Sequence, residues 1–397
     1  MKDDFKEPAF VEPEEMAAKE SSPAPEKLNR PEASKTSLTT KLKNKWGKAS
    51  KNQRIAFVVA AVLVLSSVAF GIYQIISPKP LPPAPEPIVE APKVEEPPKP
   101  TTEPSRLSGV EVSIELNQRS ITGVMIENSV DARPQAGLKD AGVVFEAIAE
   151  GGITRFLALF QEGQPDYIGP VRSARPYYID WLMGFDAAYT HAGGSGEALS
   201  LIRQLGIKDI EHGVNGGAFQ RVSNRYAPHN LYTSSAALDA VKSQRGYNTS
   251  TFTSLARAVE AASATPNAIS INLNPSTSLY AVRYDYSAAT NSYNRVLAGR
   301  PHIDERSGAQ LSPKVVVAMI VPYSINPNRI HSVYGTIGTG KATVFQNGIA
   351  TEGTWTKADR ASQIVLKDAA GNPIGLNPGQ TWFTMLSSAD KATFTGP

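Results

Sequence analysis

Residues 55 to 76 read IAFVVAAVLVLSSVAFGIYQII, a run of 22 residues without one charge. At about 1.5 Å per helical residue it spans roughly 33 Å, enough to cross a hydrocarbon core of about 30 Å. A helix of that length packed on a globular core would show a polar face, and this run has none. From Ala33 to Arg54 the chain carries Lys35, Lys41, Lys43, Lys45, Lys48, Lys51 and Arg54 and no acid. The excess of positive charge on that side sets the expected topology: N-terminus in the cytoplasm, residues 78 to 397 outside it, a single-pass protein of the cell membrane. A secretory signal is the rival reading. The run is longer than an h-region and no A-x-A site follows it, so an uncleaved anchor is expected.

The helix divides the chain into parts of different composition. Residues 1 to 54 are expected to be a disordered cytoplasmic tail with a basic juxtamembrane segment, because residues 1 to 32 mix nine acids with five bases and bury little. Residues 77 to 106 form a Pro-rich linker. Eleven prolines in the 27 residues from Pro78 to Pro104 favour polyproline II, a semi-rigid spacer of up to roughly 80 Å.

Beyond the linker, from Ser105 on, 25 Lys and Arg stand against 23 Asp and Glu. Such balance argues against nucleic-acid binding, which calls for a strongly basic surface. The chain has no cysteine, which excludes disulfides, a thiol nucleophile, zinc-thiolate sites and a lipid-modified cysteine.

Residues 107 to 265 alternate strand-like and helix-like runs and read as an α/β domain. Ile121–Glu127, Gly142–Ile148 and Arg155–Phe160 are rich in β-formers. Tyr178, Trp181, Leu182 and Phe185 fall on one helical stripe after Pro176, a residue suited to a first turn. Ala187–Thr190 reads as a buried strand, followed by a helix with Ser195 as N-cap, Leu199, Ile202 and Leu205 inside and Gly206 at its end. Further helices are expected from Ser234 and over Ser254 to Ala262. Residues 266 to 397 read as a β-rich C-terminal domain, with strands at Val282–Tyr286, Val315–Val321, Ala342–Phe345, Ser362–Leu366 and Thr381–Leu386. Turns are expected at Asn347-Gly348 and Gly371-Asn372-Pro373.

Three stretches can carry chemistry. Gly169-Pro-Val-Arg172-Ser-Ala-Arg175-Pro precedes His191-Ala-Gly193-Gly194-Ser195-Gly, which turns a strand into a helix N-terminus. Free amides and the helix dipole there favour an anion, and Arg172 and Arg175 can clamp a carboxylate or phosphate. Solvated loop arginines and turn glycines are the plain alternative. His191 with Ser195 suggests a base and a nucleophile, but the G-x-S-x-G spacing is missing and serine is a common N-cap. In the third stretch, Asn224-Arg225-Tyr-Ala-Pro228-His229-Asn230, the proline stiffens the backbone before a histidine able to act as base or donor. Glu127, Glu146, Glu150 and Asp180 are acids without a visible partner. No histidines stand in metal-ligand spacing, so neither a metal nor a cofactor is expected. Gly335-Thr-Ile-Gly-Thr-Gly340-Lys341 mimics a phosphate loop, but Ala342 replaces the Ser or Thr, and a hairpin with glycines at positive φ explains it better.

Val124-Met-Ile-Glu-Asn128, Ala132–Leu138, Glu150–Phe156, Gly169–Pro176, His191–Ser195, Ala227–Thr233 and Leu376–Trp382 together resemble the YerB-like family of bacterial envelope lipoproteins. The resemblance implies an extracytoplasmic, membrane-tethered protein of two domains and supplies no reaction. Lipid anchoring through a cysteine is not open to this chain, so the helix at 55 to 76 would replace it. The expected function is a non-enzymatic module that binds cell-wall material, a peptide or an envelope protein. Its contacts would be Arg155, Arg172, Arg175, the His191–Ser195 turn with Gly193 and Gly194, Arg225, His229 and Asn230. The alternative is a cell-wall hydrolase or transferase with His191 or His229 as base and Ser195, Asp180 or an activated water beside it. A scaffold for envelope enzymes is a third possibility.

Overall fold

The structure is a computed structural model that describes residues 50–77, 100–327 and 330–397. The expectations for the tail up to residue 49 and for residues 78–99 of the linker lie outside the described residues. The chain forms two units, one up to Glu95 and one from Glu96 on.

In the first unit, helix α1 runs from Lys51 to Ile76, and its most apolar window has a mean hydropathy of 2.7. By length and composition it is able to cross a membrane. Its two central hydroxyls, Ser66 and Ser67, donate to Val62 O and Leu63 O at 2.8 Å, so neither is left unpaired in an apolar run.

The second unit is organised by one ten-stranded sheet. In chain order its strands are β1 (Thr122–Glu127), β2 (Val143–Glu150), β3 (Ile153–Phe160), β4 (Ala188–His191), β5 (Asp209–Glu211), β6 (Val315–Ile320), β7 (Gly338–Gln346), β8 (Ile349–Lys357), β9 (Val365–Asp368) and β10 (Thr381–Leu386). Their spatial order is β9-β8-β7-β6-β10-β2-β3-β1-β4-β5. The mixed α/β part and the β-rich C-terminal part therefore share a sheet. The seam is β10, which lies parallel to both β6 and β2, with Thr381 opposite Val315 on one side and Val143 on the other.

The central strands VVVAMI, TWFTML and VVFEAIAE are near-continuous apolar runs because both faces of the sheet are covered. Period-two alternation sorts their side chains between two cores. Val143, Phe145, Val317, Phe383 and Met385 pack with Trp181 of α2 (Pro176–Met183) and Ile202 of α3 (Gly196–Leu205). Val144, Phe156, Val316 and Trp382 pack with Leu238 of α4 (Ser235–Arg245) and with Ile271, Tyr284 and Tyr293. The last three belong to a five-stranded antiparallel sheet in the order 300–301, 292–297, 282–287, 270–273, 392–395.

Several local expectations need correction. Residues 254 to 262 form no helix. Arg257 forms a bridge with Leu376 and its guanidinium donates to the carbonyls of Leu107 and Asn377, while Ala258 N donates to Leu376 O at 3.0 Å. These contacts take the backbone groups that a helix would pair internally. The expected strand at 362–366 begins only at Val365, because the carbonyls of Arg360 and Ser362 turn inward onto Lys357 Nζ. Leu205 is 37% exposed rather than inside. In the phosphate-loop mimic, Gly340 lies in β7, where a Cβ would sit 2.5 Å from Ile320 O and from Trp355 Nε1. Of the mimic's glycines, Gly338 has a positive φ, +122°. Asn347 and Gly348, at φ 59° and 74°, form the β7–β8 turn as their residue types require.

Candidate functional site

Strand β1 ends in a carboxylate. Its last residue, Glu127, is 2% exposed. The loop at Gly169–Arg175 is laid along it: Glu127 N donates to Pro170 O (3.0 Å) and Arg172 N to Met125 O (2.9 Å). That docking brings Arg172 Nε to 3.0 Å from Glu127 Oε1. The approach is an ion pair without aligned hydrogen-bond geometry, since Arg172 Nε is buried and makes no hydrogen bond. Burial lowers the Arg172 pKa, and Glu127 opposes that. His229 reaches the other oxygen, with Nδ1 2.9 Å from Glu127 Oε2 and 3.2 Å from Ser129 Oγ. Residues 45 and 102 positions away in sequence thus converge on one carboxylate. The Arg172 and His229 side chains each remain 22% exposed.

Glu150 closes a second cluster at the end of β2, with Arg155 on one oxygen and Arg175 on the other. Arg155 also donates to Ser173 O (3.1 Å) and Arg175 to Ala174 O (2.6 Å). Burial pushes the Glu150 pKa up, but the two guanidinium groups outweigh it and the carboxyl lies below its usual range. The expected pairing of Arg172 with Arg175 on one anion is not what forms: Arg175 shares Glu150 with Arg155, and Arg172 goes to Glu127.

Ser195 caps α3, its Oγ accepting from Ala198 N at 3.2 Å. Gly193, at φ +61°, gives its amide to Glu211 Oε1 (3.1 Å), and Val214 N reaches Oε2 (3.1 Å). Burial raises the Glu211 pKa, but the amides of Gly213, Gly193 and Val214 and the nearby His191 together bring it below the ordinary value. Of the His191–Ser195 turn, Glu211 thus takes the Gly193 amide, next to Gly194. His191 itself is fully buried, with Nδ1 2.8 Å from Gly193 O and Nε2 3.0 Å from Asp209 Oδ1. Ser195 is not among its hydrogen-bond partners. Asp180 bonds Arg360 (2.8 Å) and Thr336, not a histidine.

In the third stretch, Arg225 donates to Pro134 O (2.7 Å) and lies 3.4 Å from Glu305. Asn230 accepts from Arg221 (2.7 Å) and donates to Val222 O (3.0 Å). The structure therefore brings Arg172 and His229 together, and Arg155 with Arg175, but holds His191 and Asp180 apart from these. Sequence reading missed the roles of Ser129, Glu211 and Glu305. The available signal was acids at strand ends, as in Thr122–Glu127 and Asp209–Glu211, where a carboxylate meets the loops that cross the strand ends.

Fold and site define a class: an α/β part and a β-rich part fused through one sheet, preceded by a helix able to cross a membrane, with an arginine cluster paired to its own acids. Residues 107–248 match the family described as "Protein of unknown function (DUF3048) N-terminal domain", and residues 269–383 match its C-terminal domain. The chain belongs to this family. It is 30% identical over 297 residues, 73% of this chain and 88% of the relative, to "Putative lipoprotein YerB" of Bacillus subtilis (strain 168). The crystal structure of the Bacillus subtilis YerB protein superposes with a TM-score of 0.68 at 28% identity, covering 73% of this chain and 99% of that one.

Proposed function

We propose that this is a membrane-anchored, extracytoplasmic module of the cell envelope that binds an anionic ligand at the Glu127–Arg172–His229 cluster. The lysine-rich segment before α1 supports a cytoplasmic N-terminus, with the Pro-rich linker and both family domains outside. The carrying observation is the convergence of Arg172 and His229 on Glu127, with both side chains still partly open to solvent. No partner among the described residues takes the terminal nitrogens of Arg172 or Nε2 of His229. Among the described residues, the acids paired with Arg155, Arg172 and Arg175 are Glu127 and Glu150, so positive charge remains for an incoming carboxylate or phosphate. Arg155, Arg175, Arg225, Asn230 and the His191-Ala-Gly193-Gly194-Ser195 turn are held by internal partners, and they would shape this site from behind.

The test is binding of purified cell-wall fragments to the full chain in detergent. Arg172→Gln should weaken it at least tenfold, and equal binding by the two proteins would remove the basis of this reading. Protease added to intact cells should digest residues 100–397.

One observation favours a second reading. Glu127 holds His229 through Nδ1 and, among the described residues, nothing pairs with Nε2, the arrangement of an oriented general base. A cell-wall hydrolase or transferase built on it would lose turnover in His229→Asn while still binding substrate. Release of soluble fragments from purified wall measures that difference.

A further inference from the structure

Beside this cluster lies a groove of about 560 Å³, lined by Val130, Leu279, Leu297 and Ile303 with Arg133 and Arg300 on its walls. Val130 and Leu279 are 51% and 52% exposed, so the groove leaves large apolar side chains in water. Its volume falls in the range of small-molecule sites, about 300–1,000 Å³. The groove is continuous with the cluster along the chain. Ser129 touches His229, and the next residue, Val130, lines the groove. Arg133 ties the two together: its Nε donates to Asn128 Oδ1 (3.1 Å), and its Nη2 donates to Asn128 O (3.0 Å) and Leu279 O (2.8 Å).

We infer that the groove holds the hydrocarbon chain of an anionic lipid whose phosphate meets Arg172 and His229. The inference rests on the anion-binding reading above and names its ligand class. Cations bordering an apolar trough match a molecule that is itself charged at one end and apolar at the other. Each methylene placed in the groove leaves water, so even a short chain separates lipid from free phosphate.

The experiment titrates the full chain, held in phosphatidylcholine nanodiscs, with hexyl phosphate, inorganic phosphate and hexanol by calorimetry. Hexyl phosphate should bind at least tenfold tighter than inorganic phosphate. Leu279→Asp, a change at an exposed position, should erase that advantage and leave inorganic phosphate binding unchanged. Arg172→Gln should weaken both phosphates alike. Equal affinity for the two phosphates overturns the lipid inference, as does hexanol binding as tightly as hexyl phosphate. If neither phosphate binds while wall fragments still bind in an Arg172-dependent way, the lipid inference falls alone. If the fragments fail too, the reading of the site falls with it.

Discussion

The molecule contains the same three residue types twice, in opposite circumstances. Glu127, Arg172 and His229 meet at a partly open edge of the molecule where β1 ends, whereas Glu146, Arg295 and His302 meet in the interior. Arg295 Nη2 lies 2.7 Å from Glu146 Oε2, and neither side chain has any exposure. Trp382 Nε1 donates to the same oxygen at 3.1 Å, and the guanidinium lies 4.1 Å from the Trp382 ring centroid. Arg295 Nε donates to His302 Nδ1 at 3.0 Å. His302 Nε2 therefore carries the hydrogen and donates to Gln135 Oε1 at 2.8 Å. The interior set is saturated and joins β2 of the α/β part to the β-rich part. The edge set has donors left over. Saturation under burial marks a structural joint, and open donors beside a held carboxylate mark a place for a ligand.

The sharpest break in that contrast is Glu146→Gln. It leaves the Arg295 charge buried without a counterion and should cost about 3–5 kcal/mol in denaturant unfolding. The next effect is a pH dependence. Burial, then Arg295 and Arg133, lower the His302 pKa well below 6.5, so the folded protein keeps this ring neutral while the unfolded chain protonates it. Stability from this group is complete above the unfolded pKa near 6.5 and declines as pH falls below it. His302→Gln should flatten that part of the curve, and an unchanged slope would contradict the neutral assignment. Ser195→Ala, the loss of an N-cap, should cost about 1 kcal/mol and leave ligand binding intact. A loss of turnover without a loss of stability would instead return Ser195 to the chemistry. Arg172→Gln, which leaves Glu127 still facing His229, should cost less stability than Glu146→Gln. Its effect should appear in binding, which is how the edge set differs from the interior one.

Much of the architecture was legible because periodicity is local. The runs at 121–127, 142–148 and 381–386 lie within two residues of observed strands, and Ser195 and Gly206 cap and close α3 as their residue types require. The segment at 254–262 was not legible, since its helix-compatible composition yields to Arg257 reaching carbonyls 120 and 150 positions away in sequence. The basic and glycine-rich character of the loops at Arg172–Arg175 and Gly193 was also legible. Their partners, Glu127, Glu150 and Glu211, were not, because no spacing rule links a strand-end acid to a loop in another part of the chain.

By itself the sequence determined the charge-free span at 55–76, the absence of any thiol, the alternating strands and the arginine- and glycine-rich loops. These follow from residue type and short-range order alone. Tertiary structure decided that β10 joins two parts into one sheet, which arginines pair with which acids, and that Arg172 and His229 share Glu127. Each of those outcomes depends on contacts between distant residues, whose energies exist only once the chain has closed upon itself.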